Sequence, residues 1–202
     1  MGALHGLHGL RERLLVITDR RAAPGGDVVA AVRAALAGAA GQALVQVREK
    51  DLAGRDLLAM VRAILAMGAR VVVNDRADVA IAAGAHGVHL PEKSLSVEEA
   101  RALLGPEGLV GASVHSVEGA VAKAGADYLV MGPVWDSPGK TACGIEVLAA
   151  AVRSVSTPIF AVGGIDSAAR AAAARAAGAH GVAAIRALMS SSDPAAAARS
   201  LL

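Results

Sequence analysis

Gln46, Arg48 and Lys50 stand two residues apart in the stretch Val45-Gln46-Val47-Arg48-Glu49-Lys50. Spacing of two puts all three on one face of a strand. An amide and two cations on one face can grip a phosphate, arginine as a planar fork and lysine as a point charge. The alternative is a salt-bridge cluster that closes the end of a sheet. Asn74-Asp75 follows Val71-Val72-Val73. A carboxylate there can take Mg²⁺, an ion held by one or two carboxylates together with substrate phosphates. An Asx turn or helix N-cap is the other reading of the pair. Gly163-Gly164 permits close approach of a ligand to the backbone and offers N–H groups to an anion. Ile185-Arg186 adds a cation. Lys140, in the long segment Gly132–Gly144 with the single Trp135, is a candidate electrophilic partner for a leaving group or a solvated loop lysine. The length of that segment suggests a lid.

The elements that must position these residues are short β-branched runs. They are Leu14–Thr18, Leu44–Arg48, Val71–Asn74, Gly87–Leu90, Leu109–Ser113, Tyr128–Met131, Ile159–Val162 and Val182–Ile185. Each is followed by a polar or glycine-containing turn and an Ala/Leu-rich segment of helical composition. Ser96 with Glu98 and Glu99, Asp166-Ser167 and Asp193-Pro194 are helix start signals. Gly84-Ala85-His86-Gly87-Val88, Gly125-Ala126-Asp127-Tyr128-Leu129 and Gly178-Ala179-His180-Gly181-Val182 form a weak repeat. It reads as helix-capping glycine, tight turn, buried strand. Eight alternating units predict one α/β domain, a (β/α)₈ TIM barrel over residues 1–202, with residues 1–13 a tail leading into the first strand. An open doubly wound sheet is the alternative. In the barrel, strand C-termini carry the chemistry. The polar residues above fall there, as do Ser113, His89 and His115. Both histidines are read as packing residues.

Composition narrows the class. The chain has 202 residues, is 54% hydrophobic, and has one Phe, one Tyr and one Trp. Its core must come from small aliphatic side chains, which suits a parallel sheet buried on both faces. The net charge of +2 is spread along the chain without a Lys/Arg block, so nucleic acid is not an expected partner. No stretch of about 20 apolar residues lacks a charge, so no membrane span is expected. The lone Cys143 and the absence of a signal-peptide pattern lead us to expect a cytoplasmic protein. Cys143, the remaining histidines and the methionines receive no role.

Taken together, Val45–Lys50, Asn74-Asp75-Arg76, Gly87-Val88-His89-Leu90, Gly111–Ser116, Ala126-Asp127-Tyr128, Gly132-Pro133-Val134-Trp135 with Lys140, and Val162-Gly163-Gly164-Ile165 resemble the thiamine phosphate synthase/TenI family. The resemblance runs in order from about Leu14 to Leu188. It implies a (β/α)₈ barrel that joins hydroxymethylpyrimidine diphosphate to thiazole phosphate and releases diphosphate. By resemblance, Gln46, Val47, Arg48, Glu49, Lys50 and Asn74 hold the pyrimidine diphosphate, which Ser113 and Lys140 also contact. Ser137, Pro138, Gly139, Gly164, Ile185 and Arg186 hold the thiazole phosphate, beside Gly163. Asp75 binds Mg²⁺, and Arg48, Lys50 and Lys140 are the candidate catalytic cations. The resemblance also allows a homodimer.

Three departures bear on the reaction. Synthases of this family carry Gly-Gln-acid-Asp after the Gly-Val-His-Leu strand, and that Asp is a second metal ligand. Here the segment is Pro91-Glu92-Lys93-Ser94, with Ser94 at the Asp position and Glu92 as the candidate replacement. Two threonines before the lysine are replaced by Ser137 and Gly139. His-Leu-Pro resembles the TenI branch of thiazole tautomerases, yet Pro133 stands where that branch has its catalytic histidine. Three functions are therefore carried forward. They are a Mg²⁺-dependent synthase, a metal-independent aromatising isomerase, and a non-catalytic thiazole-phosphate binder.

Overall fold

Eight parallel strands pair in sequence order, and the last closes on the first. They are β1 (Leu14–Ile17), β2 (Ala43–Val47), β3 (Arg70–Asn74), β4 (Gly87–Leu90), β5 (Leu109–Val114), β6 (Tyr128–Met131), β7 (Ile159–Val162) and β8 (Gly181–Ala184). This computed structural model describes residues 10–202, so residues 1–9 of the expected tail lie outside the described part. The helices are α1 (Val28–Ala39), α2 (Gly54–Leu65), α3 (Ala77–Ala83), α4 (Val97–Leu104), α5 (Val117–Ala122), α6 (Ile145–Ser154), α7 (Ala168–Ala176), α8 (Arg186–Met189) and α9 (Pro194–Leu201). The expected TIM barrel is the observed fold. No helix among the described residues is long and apolar enough to cross a membrane.

The strands divide their side chains by alternation. Leu14, Val16, Val45, Val47, Val71 and Val73 face outward into one large cluster with the helices. Leu15, Leu44, Val72, Tyr128, Val130 and Phe160 belong to a separate cluster inside the barrel. Full burial of each such Val or Leu contributes about 1.5–3 kcal/mol. Tyr128 and Phe160 fill the centre, edge to face with centroids 5.8 Å apart. Gly111 makes room for the phenol, since a Cβ there would stand 2.0 Å from Tyr128 Cζ. At the N-terminal end of the barrel Arg70 pairs with Glu12 at 3.3 Å.

The polar residues occupy the interior layer above the aromatic rings. Strand register places Ile17 beside Gln46, Asn74 beside His89, His89 beside Gly111, and Ser113 beside Val130. The expected helix starts are present. Ser96 forms a capping box with Glu99, Ser167 accepts from Arg170 N–H, and Asp193 accepts from Ala196 N–H. The glycine repeat is only partly what the sequence suggested. Gly84 (φ +68°) caps α3, and Gly178 (φ +95°) follows the last turn of α7. Gly125 is not left-handed, because α5 already ends at Lys123.

Candidate active site

The end of β2 and the loop that continues it, where Arg48 and Lys50 lie beyond the strand, open into a cavity of about 770 Å³ at the C-terminal mouth of the barrel. Gln46, Arg48 and Lys50 all line it. Gln46 is 2% exposed, and its Nε2 has no hydrogen-bond partner among the described residues. Leaving a buried amide unpaired costs about 1–3 kcal/mol, so this group is suited to a ligand acceptor. The intervening residues point elsewhere. Val47 is in the outer core. The Glu49 carboxylate is buried and accepts from the Arg20 backbone N–H at 3.1 Å and from the Arg20 guanidinium at 3.2 Å. Thr18 Oγ1 accepts from Arg48 N–H at 2.8 Å. Glu49 and Thr18 therefore tie the end of β2 to the β1 loop and hold Arg48 and Lys50 in place.

Further around the rim, Asn74 and Ser113 line the cavity from β3 and β5. The loop after β6 brings Ser137, Pro138 and Lys140. A tight turn closes its tip: Lys140 N–H donates to Ser137 O at 2.8 Å, Pro138 follows Ser137, and Gly139 takes φ +75°. The base of this expected lid is fixed. Val134 N–H donates to Val162 O at 2.8 Å and Trp135 N–H to Gly163 O at 3.1 Å. Arg170 lies 5.7 Å from the Trp135 ring and donates to Gly164 O at 2.8 Å. The tip, from Pro138 to Thr141, stands exposed, as does Asp136.

Gly163, Gly164, Ile185 and Arg186 line the opposite side. Gly163 (φ +92°) and Gly164 (φ +66°) form a left-handed pair that a side chain would disrupt, since a Cβ on Gly163 would sit 2.4 Å from Pro133. Backbone N–H groups of such a glycine turn on the cavity wall are available to an anion. Arg48, Lys50, Lys140 and Arg186 make no ion pair with another described residue. Two of the acids on the rim are already engaged. Asp166 pairs with Arg170 at 2.8 Å, and Asp136 accepts from Ala142 N–H at 2.8 Å.

The candidate metal ligands sit on the loops after β3 and β4. Asp75 takes a left-handed φ of +65° and accepts from Ser94 Oγ at 2.5 Å. It is exposed and does not itself line the cavity, whereas Glu92 does, 3.9 Å from His115 Nε2. Among the described residues no three His, Cys, Asp or Glu side chains gather around one point. This oxygen-only set fits a Mg²⁺ that brings phosphate oxygens as its remaining ligands, and does not form a closed protein cage.

His89 and His115 were read as packing residues, yet both also line the cavity. His115 Nδ1 is bonded to Gly132 O. His89 is fully buried between Tyr128 and Ser113, and its pKa is pushed down to about 3, mainly by burial and then by the charges of Lys123 and Arg48. Burial also lowers His86 and His180. A base depressed in the native state is uncharged there while the unfolded chain takes up protons below about pH 6.5. Stability from His89 is complete above that pH and is lost as pH falls from 6.5 toward 3. By this route the unfolding free energy is expected to drop by about 2 kcal/mol between pH 7 and pH 5. Urea unfolding at the two pH values, compared with His89→Asn, checks it. Burial pushes the Cys143 thiol up, away from nucleophilic use.

Asp19, also on the rim, receives no role from the sequence. It ends a strand run like the other rim residues, but one carboxylate in a turn carries no distinguishing spacing.

The family described as thiamine monophosphate synthase matches residues 14–188. A thiamine-phosphate synthase of Methanoculleus marisnigri is 46% identical over 198 residues, 93% of this chain and 92% of its own. One from Roseiflexus sp. is 41% identical over 196 residues, 92% and 82% of the two chains. The solved structure of thiamine phosphate pyrophosphorylase from Pyrococcus furiosus superposes with a TM-score of 0.84 at 35% identity, covering 96% of this chain and 95% of that one.

Proposed function

The chain belongs to the thiamine monophosphate synthase family, and we infer that it joins hydroxymethylpyrimidine diphosphate to thiazole phosphate with release of diphosphate. One observation carries this reading: a single cavity holds both the cationic end at Gln46, Arg48 and Lys50 and the glycine seat at Gly163-Gly164 with Arg186. Two anions bound at opposite ends leave their reactive groups between them, and such positioning is itself a large part of catalysis.

At the first end, Gln46 and Asn74 orient the pyrimidine, and Arg48, Lys50, Ser113 and Lys140 hold its diphosphate. At the second, the N–H groups of Gly163 and Gly164, the start of α8 and the Ser137–Gly139 turn hold the thiazole phosphate. The thiazole nitrogen forms a bond to the exocyclic methylene while the methylene–oxygen bond breaks, and the electron pair leaves on diphosphate. Arg48, Lys50 and Lys140 line the cavity where that charge builds, the Arg48 backbone being held by Thr18 before it develops. Asp75, with Ser94 and Glu92, would hold a Mg²⁺ that neutralises the same charge. Val47 and Glu49 contribute by supporting the strand end. We place the reaction in the cytoplasm, and a homodimer formed away from the barrel mouth is compatible with it.

Ser94 at the second acid position is the observation that favours a metal-free reading. Against the isomerase, Pro133 packs on Gly163 at the place where a catalytic histidine would stand. Metal removal separates the two. A chelator is expected to lower diphosphate release at least about a hundredfold, with Mg²⁺ restoring it. A chelator-insensitive change in the thiazole absorption spectrum, without diphosphate release, would assign the isomerase instead. Phosphate binding without any turnover would assign the binder.

A further inference from the structure

Tyr128 is fully buried in the barrel centre, and its hydroxyl has one hydrogen-bond partner among the described residues, His89 Nδ1 at 3.2 Å. His89 Nε2 in turn lies 2.8 Å from Ser113 Oγ. The three residues come from β6, β4 and β5, and the series ends where Ser113 meets the cavity. Gly111 on β5 is what admits the phenol to this position.

Counting protons decides how this series is arranged. The phenol has one proton to donate, and Nδ1 is its only acceptor. A proton on Nδ1, in either the other neutral tautomer or the cation, would leave a buried O–H unpaired, at a cost of about 1–3 kcal/mol. With Nδ1 bare, Tyr128 O–H donates to Nδ1 and Nε2–H donates to Ser113 Oγ. The phenol and the imidazole donors are then both paired. The serine oxygen has accepted a bond from the histidine, so its own proton is left for an acceptor on the cavity side.

We propose that Tyr128 and His89 are positioning residues that commit the Ser113 hydroxyl to donating into the cationic end of the cavity. The identity of the recipient, a diphosphate oxygen, rests on the function proposed above; the proton arrangement does not. Ser113 is thereby a fixed donor to an anion and not a nucleophile, because no base takes its proton.

The tautomer can be read directly. In the whole protein labelled with ¹⁵N-histidine, long-range ¹H–¹⁵N correlation at pH 7.5 is expected to show His89 protonated on Nε2 alone, the signal being assigned by its loss in His89→Asn. Tyr128→Phe removes the donor to Nδ1 and is expected to shift the population toward Nδ1–H. A wild-type His89 protonated on Nδ1 overturns the proposal. Calorimetry with inorganic diphosphate gives the second readout. Ser113→Ala is expected to bind about tenfold more weakly and Tyr128→Phe about threefold more weakly. The double variant should be no weaker than Ser113→Ala, because Tyr128 acts only through the serine. Additive losses overturn the proposal. An Nε2–H tautomer in a wild-type protein that binds no diphosphate overturns the assigned recipient and, with it, the reading of the site, while the proton arrangement stands.

Discussion

Replacing Arg48 with alanine is expected to lower kcat/KM for diphosphate release by about a thousandfold, while leaving the melting temperature close to that of the wild type. The two halves of this expectation have one cause. Arg48 is half-buried on the cavity wall, its backbone N–H is held by Thr18, and its guanidinium has no carboxylate partner among the described residues. A cation without a partner contributes little to folding. The same cation is already oriented when negative charge gathers on the departing diphosphate, where it has most effect. Arg48→Lys is expected to recover only part of the loss, since lysine keeps the charge but not the fork. Steady-state kinetics with each substrate varied, alongside thermal unfolding, checks both halves. A large fall in melting temperature with little change in kcat/KM would instead make Arg48 a structural residue of the barrel mouth.

Gly87→Ala is expected to have the opposite profile, destabilising the barrel by about 3 kcal/mol. For a chain of this length that is a fall in melting temperature of roughly 9 °C. A Cβ on Gly87 would stand 1.8 Å from the carbonyl oxygen of Leu109, and that oxygen belongs to the backbone of the neighbouring strand. A flexible side chain could move aside; a strand in a closed barrel cannot shift without disturbing its own pairing. Gly181 is in the same position at the other copy of the repeat, with the Arg13 carbonyl 2.2 Å from its missing Cβ. The second glycine of each Gly-Ala-His-Gly repeat is therefore a strand-entry glycine, required by the adjacent strand. Gly84→Asn is the matched control. Gly84 needs only the left-handed conformation, which asparagine adopts, and a Cβ there meets open space. That variant is expected to stay within about 1 kcal/mol of the wild type. Equal losses at Gly84 and Gly87 would remove steric crowding as the explanation.

The strands were legible because each β-branched run is short, buried on both faces and bounded by turn residues. Every predicted run overlaps an observed strand, with ends differing by at most one residue. Alternation also put Gln46 of β2 on one side with Arg48 and Lys50, which follow just past the end of the strand, and all three line the cavity. It could not tell what Glu49 does on the other side of the strand. That depends on Arg20, 29 residues earlier, which reaches across from the β1 loop. The same limit hid the Tyr128–His89–Ser113 series, since a contact 39 residues apart leaves no local signature. Gly125 was misread for a related reason. Its repeat matches those of Gly84 and Gly178 in letters, but α5 stops earlier and the glycine has no cap to form. The Asp75–Ser94 bond illustrates a further gap: the substitution of serine was visible in the sequence, but not that its hydroxyl turns to the remaining carboxylate.

The most direct test of a two-anion transferase is to supply purified protein with hydroxymethylpyrimidine diphosphate, thiazole phosphate and Mg²⁺, and to measure thiamine phosphate and diphosphate together. Both products are expected to appear in equal amounts, to require both substrates, and to fall at least about a hundredfold in Lys140→Ala. Diphosphate and thiamine phosphate no more abundant than in the Lys140→Ala sample, from wild-type protein that still binds both phosphorylated compounds, would contradict the account.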